Sequence, residues 1–491
     1  MIKRYSLLKL FLLLFVVIAH HTMLFADQKE VKNIIELNNA IEAAKPGDVI
    51  IMTDGEWNNV AIDFKSVATQ QLPITLKAKN AGKVILTGTS VLQISKPYLI
   101  VDGLFFNKGG DIKGNAVILF KSDYGKIINT AIVDYNPELK ATDYYWVYFS
   151  GNYNELQNCF FKGKNNLQPL IGNDQENSRY NKVSYCHFKD IPFTPDNGRE
   201  IFRIWGYGRS EETGDDGAFF TVEHNFFERA HGEGSEIVSL KSNRNIVRYN
   251  TIFSTRGGIT GRSGNFNTIE GNYVLGNNEK GSSGIRLAGQ GHQVFNNYIS
   301  DVTGDGLIIM TGEYIDTALT DKYEPIKRAG TPLGRVPRYG HVKNGLFANN
   351  TFVNIGGIGI NVGSSYNPNP AADQRMLLPE NNKVVNNIVL KTNGGIGISV
   401  TQPINNPILN KFKFAPNILE GNITFGSETN SKVSGISVKN PQMSLKNGLY
   451  QLEKDSEFLD KGMKTKYKPL TASEVGPNWV IKSRLVNAAQ F

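Results

Sequence analysis

Residues 245–274 read NIVRYNTIFSTRGGITGRSGNFNTIEGNYV and contain one short phrase twice. NIVRYNTIF begins at Asn245 and NTIEGNYV at Asn267, an offset of 22 residues. Each places apolar residues in alternation, then Asn, then a second short apolar run. Alternation with period two marks a strand with one buried face. Asn suits the bend between two such strands, since it tolerates left-handed backbone geometry and its amide can bond the backbone or the next Asn of a stack. A unit this small cannot close a core of its own. Stacked copies, however, bury one another's inward side chains, as the coils of a parallel β-helix do.

The phrase recurs as NELQNCFF from Asn154, NKVSYCHF from Asn181 and FTVEHNFF from Phe220. It returns as HQVFNNYI from His292, GLFANNTF from Gly345, NKVVNNIV from Asn382 and NILEGNITF from Asn417. Its bend position holds Cys159 and Cys186 first, then Asn225, Asn250, Asn272, Asn297, Asn350, Asn387 and Asn422. From Asn225 to Asn297 the bends lie 25, 22 and 25 residues apart, whereas offsets of 39, 53, 37 and 35 elsewhere must hold loops or whole extra coils. The Leu-rich consensus of a horseshoe repeat is absent. The expected fold is all-β, a single-stranded parallel β-helix. Cys159 and Cys186 stand at equivalent bends and become neighbours in the stack. Export would permit a disulfide, but stacked parallel side chains often have the wrong torsion, and two buried thiols are expected.

At the amino end, VKNIIELNNAIEAAKPGDVIIM keeps helical spacing to Ala44 before a Pro-Gly turn and an apolar strand. This predicts a short helix capping the open end of the core. PITLKA, KVILTG and YLIVDGLFF read as the first coils, and from about residue 447 to 491 the repeat is lost, which predicts a tail or cap. Residues 1–26 read as an export signal: Lys3, Arg4 and Lys9, the apolar run LFLLLFVVIA, then Ala26 ahead of Asp27. That run is too short to span a bilayer, and no cysteine follows it for lipid attachment. The expected product is one domain over 27–491, periplasmic or secreted, with no membrane anchor. The formal net charge is +8 over 491 residues, with no long Lys/Arg run. A spread positive field favours an acidic polysaccharide over nucleic acid as partner.

Glu236, Lys241 and Arg262 fall in this same strand-and-turn pattern and are expected to share one groove. There cations would hold a polymer's carboxylates while one group moves a proton. Taken singly, each is also an ordinary surface charge.

Several ordered motifs carry a resemblance: PITLKAKNAGKVILTGTSVLQISKPYLIVDGLFF, EIVSLKS, GITGRSGN, GIRLAGQGHQVFNNYI and LTASEVGPNW. From about residue 30 to the carboxyl end, the chain resembles the polysaccharide lyase family six, which includes alginate lyases and chondroitinase B. The resemblance implies a right-handed parallel β-helix that cuts uronate-containing polysaccharides by β-elimination. It implies that Lys241 is the base and Arg262 its partner, and that Arg286 and His292 touch substrate. His292 also occupies a slot held elsewhere by Asn, where a structural histidine is equally expected. The family motif after the partner arginine often continues with His, whereas this chain has Ser263.

The family commonly neutralises the uronate carboxylate with calcium, held by an Asn and two acidic residues two positions apart. Here Asn197 and Glu236 match, but the position two before Glu236 is Gly234, with Glu233 one step further. An odd shift along a strand turns a side chain to the other face. Two readings stand, calcium on Asn197, Glu233 and Glu236, or a calcium-free site in which Arg or Lys replaces the metal. The stretch RVPRYGHVK, with Arg335, Arg338, Tyr339 and His341, is expected to wall the groove or to be a plain exposed loop. Besides an alginate lyase, a chondroitin or dermatan lyase and a catalytically silent glycan-binding β-helix are open. Pectin-type hydrolysis would want clustered Asp residues at the groove, and the adjacent pair in GDDG at 214–217 sits in a loop.

Overall fold

The computed structural model describes residues 26–206, 216–314, 325–328, 331–335, 339–367, 375–390, 395–405, 409–411, 413–429, 433–464 and 468–482. The proposed leader, but for Ala26, therefore lies outside the described residues. Three long parallel sheets, of 14, 13 and 14 strands among the described residues, run along the chain. The first starts at Gln28–Val31, the second, here called the groove sheet, at Ala61–Phe64, and the third at Gly55–Asn58. Each coil contributes one strand to each sheet, so the chain is a parallel β-helix.

Strand Ile246–Arg248 pairs with Thr221–Glu223 on one side and Thr268–Glu270 on the other, in register with the repeat. Val222, Val247, Ile269, Val294, Phe347 and Val384 point inward and are fully buried. Gln293–Phe295 pairs directly with Leu346–Ala348, so the 53-residue offset holds loops and no extra coil.

The Asn ladder differs from expectation in one respect. The left-handed backbone falls on the residue before each bend Asn: His224 (φ 53°), Tyr249 (56°), Asn296 (59°), Asn349 (53°) and Asn386 (56°). The bend Asn itself supplies the hydrogen bonds. Asn225 Nδ2 donates to Asn250 Oδ1 (3.1 Å), Asn250 to Asn272 (3.0 Å), Asn272 to Asn297 (3.0 Å), and Asn297 to Asn350 (2.9 Å). Asn350 to Asn387 and Asn387 to Asn422, both at 3.0 Å, continue it. Each amide also donates to a carbonyl of the neighbouring coil, as Asn250 does to Val222 O at 2.9 Å. A buried amide column is tolerated because every member is satisfied. Cys159 and Cys186 are free, buried thiols at the start of this column.

Helix α1, Ile34–Ala43, covers the amino end through Leu37, Ala40 and Ile41. Asn33 caps it, accepting from Glu36 N at 2.9 Å, while Glu36 reaches back to Lys32 N at 2.8 Å. The carboxyl segment runs back along the outside of the third sheet. Gly462 N bonds Asn386 O (2.8 Å), Leu470 N bonds Thr251 Oγ1 (2.8 Å), Gly476 N bonds Tyr185 O (2.8 Å) and Trp479 Nε1 bonds Asn129 O (2.9 Å). It thus spans many coils as a strap. Among the described residues, no helix is long and apolar enough to cross a membrane.

Replacing Asn250 by Ala removes its bonds to Val222 O and Asn272 and leaves the Asn225 amide without its acceptor. The expected loss is about 1–3 kcal/mol. Denaturant unfolding of Asn250→Ala measures it, and an unchanged midpoint would refute a stabilising role for the ladder.

Candidate active site

The strand Glu236–Lys241 is buried along its whole length in the groove sheet. It pairs with Phe202–Trp205 before it and Gly257–Ser263 after it. Val238 and Leu240 enter the core, so by period two Ser239 and Lys241 face the groove. Lys241 Nζ sits 3.0 Å from Glu200 Oε1 and 5.0 Å from the centre of the Trp205 ring, with 9 % of its side chain exposed.

Arg262 reaches the same face through a register shift. Leu240 pairs with Gly261 but Lys241 pairs with Ser263, so Arg262 is the extra residue of a bulge. Such bulges re-aim side chains. Its guanidinium lies 5.7 Å from the Tyr339 ring. Arg286, in Ser282–Leu287, pairs in register with Thr260 and places Nη2 2.7 Å from Glu236 Oε1.

Glu200, Glu233 and Glu236 bring one carboxylate oxygen each within 4.8 Å of one another, a donor set that can hold a metal ion. Glu233 does not lie on the strand. It sits in a turn that Gly232 (φ 54°) and Gly234 (φ 75°) fold back, so strand alternation does not govern where it points. Glu233 Oε2 accepts from Gly198 N at 2.7 Å and Oε1 from Ser235 Oγ at 2.8 Å. Asn197 is exposed in the adjoining loop. Glu200, three residues on, is the third member of the carboxylate cluster.

Each carboxylate already has partners. Arg203 bonds Glu200 through Nε (3.0 Å to both oxygens) and Nη2 (2.7 Å), and Lys241 shares the same group. Glu236 takes Arg286 and a hydrogen bond from Ser239. Burial alone would raise the Glu200 pKa, but the Arg203 hydrogen bonds and the Lys241 charge outweigh it and hold it below the usual range. Burial, with the Glu200 charge nearby, pushes Glu233 up.

The remaining expected residues divide. Tyr339 stands between Arg262 and Arg375, whose guanidinium is 4.4 Å from its ring. His341 braces the wall, with Nε2 2.7 Å from Leu378 O and Nδ1 3.7 Å from Glu380. Arg335 ends the strand Thr331–Arg335, and the place of its side chain lies outside the described residues, as does the whole of Arg338. His292 is a core residue, not a groove residue. Its Nδ1 accepts from Asn267 N (3.3 Å) and its Nε2 donates to Ala288 O (2.9 Å), in a second ladder where Asn245 bonds Asn267 at 2.9 Å.

Sequence reasoning missed Glu200, Arg203, Trp205 and Arg375. The alternation in Phe202-Arg203-Ile204-Trp205 was the available signal, since it turns Arg203 and Trp205 outward on a groove strand. Arg375 comes from a two-stranded antiparallel ribbon with Gly312–Glu313, which no repeat announces.

A solenoid groove that sets a buried lysine on a carboxylate, two arginines beside it and aromatic rings at its walls defines a β-helix enzyme for an anionic polymer. The chain belongs to the polysaccharide lyase family six: the chondroitinase B family model matches residues 31–457. The PL6 family polysaccharide lyase Pedsa3628 from Pseudopedobacter saltans is 58 % identical (TM-score 0.80), covering 92 % of this chain and 99 % of that one. The PL6 family alginate lyase AlyGC is 26 % identical (TM-score 0.77), over 92 % of this chain and 58 % of its own. A mannuronic acid specific family 6 lyase from human gut microbiota is 25 % identical (TM-score 0.65), over 83 % and 88 %. No curated protein matches.

His292 carries a pH prediction. Burial lowers its pKa from 6.5 to about 4, so between those values the unfolded chain binds the proton that the folded chain refuses. Its contribution to stability therefore falls as pH drops through that window, on the order of 3 kcal/mol in all. His292→Asn, which matches the other ladder positions, should keep activity and flatten that part of the stability–pH curve. Equal slopes for both proteins would refute it.

Proposed function

We propose that this lyase cleaves alginate by β-elimination, with Lys241 as the base and Arg262 stabilising the departing oxygen. The observation that carries the reading is the Lys241 ammonium held 3.0 Å from Glu200 on the arginine-lined face. In the neutral form Lys241 takes the proton at carbon-5 of a uronate. Glu200 orients that nitrogen and stabilises the ammonium formed, and Arg203 shares the carboxylate's charge. Arg262 and Arg286 supply positive charge where the uronate carboxylate gains enolate character. A guanidinium hardly deprotonates, so as the carbon-4–oxygen bond breaks a water delivers the proton to the leaving oxygen, and the hydroxide left behind takes the carbon-5 proton back from the Lys241 ammonium.

Hard carboxylate oxygens suit calcium, and Glu200, Glu233 and Glu236 would hold it. When bound, it would neutralise the substrate carboxylate. Three carboxylates facing Lys241, Arg203 and Arg286 leave little net charge to attract it, so binding is weak and assisted by substrate. The names of the alginate lyase AlyGC and the mannuronic acid specific lyase support alginate. The chondroitinase B family model supports chondroitin or dermatan sulfate as the second substrate reading. The apolar leader over residues 1–26 supports export.

Elimination leaves unsaturated ends that absorb in the ultraviolet, and hydrolysis leaves none. Incubation with mannuronate and guluronate blocks, chondroitin sulfate and dermatan sulfate should give absorbance chiefly with alginate. New reducing ends without absorbance would overturn the lyase chemistry. Lys241→Ala should lower kcat roughly a hundred- to ten-thousand-fold while polymer binding persists. A variant retaining half its activity would place the base elsewhere.

Exhaustive chelation should lower kcat/KM about tenfold, with recovery at roughly 10⁻⁴–10⁻³ M calcium. Full activity in metal-free protein would leave the carboxylate to Arg262 and Arg286 alone.

A further inference from the structure

Lys164 is a buried cation that the chemistry above does not use. It is 5 % exposed, and its ammonium faces four oxygens: Asn166 O (3.0 Å), Asn166 Oδ1 (2.9 Å), Leu167 O (3.3 Å) and Gln168 O (2.7 Å). Three N–H donors inside four acceptors make a filled cage, the kind of oxygen shell that a small cation occupies. Burial, with the Arg199 charge nearby, pushes the lysine well below its ordinary pKa, while the Asp143 charge and the four oxygens act in favour of the ammonium. The closest of the four oxygens belongs to Gln168, whose φ of 71° is left-handed and costs a non-glycine residue about 1–2 kcal/mol. Asn166 Nδ2 ties the other side of the loop to Thr142 O and Tyr144 O, both at 3.1 Å.

From this loop two contacts reach the site. Asn165 O accepts from Arg199 Nη1 at 3.1 Å, and Gln168 Oε1 accepts from Arg203 Nη1 at 3.4 Å. Arg199 and Arg203 flank Glu200 in sequence. Arg199 N bonds Glu233 at 3.4 Å, and Arg203 grips the carboxylate that holds Lys241.

We propose that Lys164 is a positioning residue for the elimination. By closing residues 165–168 around its ammonium, it fixes Arg199 and Arg203, and through them the Glu200 carboxylate against which Lys241 works. The proposal rests on the lyase reading given above.

The test is chemical rescue. Lys164→Ala leaves the cage without its cation, and kcat on the preferred uronate polymer should fall about 10- to 100-fold with KM changed less than about threefold. Ethylammonium or propylammonium should restore part of that kcat with saturation and raise the variant's Tm. Tetramethylammonium, which has no N–H, should do neither, and the parent protein should ignore all three. Gln168→Leu keeps the cage and deletes only the Arg203 contact. It should lose kcat several-fold at unchanged Tm, with no rescue by any amine.

Parental kcat in Lys164→Ala, or a loss that no primary ammonium restores, overturns the proposal. If Lys164→Ala does not fold, Gln168→Leu decides, and parental kcat there overturns the relay. A parent protein that forms no unsaturated ends on any uronate polymer removes the lyase reading and the positioning role together. An active parent with indifferent variants removes the positioning role alone.

Discussion

No coil of this chain can bury its inward side chains alone, so everything depends on the register between neighbouring coils. The amide column from Asn225 to Asn422 supplies that register, because an amide displaced by one position would lose both its carbonyl and its neighbouring Asn in a place water cannot reach. The same spacing that satisfies the column carries outward residues into line on the groove sheet. Arg203, Ser239, Thr260 and Arg286 follow one another at successive strands, and Trp205 and Lys241 do so two residues on, with Ser263 brought into the same row by the bulge at Arg262. The site is therefore assembled by residues far apart in sequence but one strand apart in space.

Electrostatics then decide what that line can do. Glu200, Glu233 and Glu236 would be mutually destabilising if bare; at Glu233 burial first, and then the Glu200 charge, push the pKa up. Lys241, Arg203 and Arg286 are drawn onto Glu200 and Glu236, whose carboxylates are nearly withdrawn from water, while Arg286 stays partly exposed. Such pairs cost desolvation energy and are kept where geometry matters more than stability. In the proposed reaction an incoming uronate adds a carboxylate to a balanced cluster, so its charge would be met by the cations not fully engaged there. Arg262 is the foremost of these, since the bulge aims it at Tyr339 on the opposite wall.

The fold was legible because its cause is local and repeated: alternation, a bend and an Asn, again and again. Glu236, Lys241 and Arg262 could be placed on one face for the same reason, since they sit in coils whose spacing is tight, whereas Arg286 was singled out by the family resemblance alone. Glu200 and Arg203 were not, because the coil between Cys186 and Asn225 carries a 39-residue offset and the repeat gives no register inside a loop. Period two applied to Glu233 failed for a related reason, as the glycine turn removes it from the strand. His292 was ambiguous in sequence because the ladder slot and a substrate contact both call for a polar side chain, and only burial separates them.

The long offsets also explain where selectivity can reside. Lengthening a loop costs little entropy, whereas adding a residue inside a coil would shift every strand after it. The chain places its largest offset after Asn297 and folds part of the added length into the ribbon of Gly312–Glu313 with Arg375–Leu377. Glu313 N bonds Tyr339 O at 2.9 Å, and His341 bonds Leu378 O, so the added wall is fastened to itself and to the coil beneath. Tyr339 meets Arg262 from a side the stack does not supply, and Arg375 packs on the same ring. In the mechanism proposed above, the coils hold the proton-transfer groups at a fixed spacing, and the inserted wall presents the aromatic and cationic surface that a neighbouring sugar would meet. If the proposed mechanism holds, discrimination among uronate polymers is accordingly expected to follow changes at Tyr339 and Arg375, with Lys241 and Glu200 setting the rate of the step common to them all.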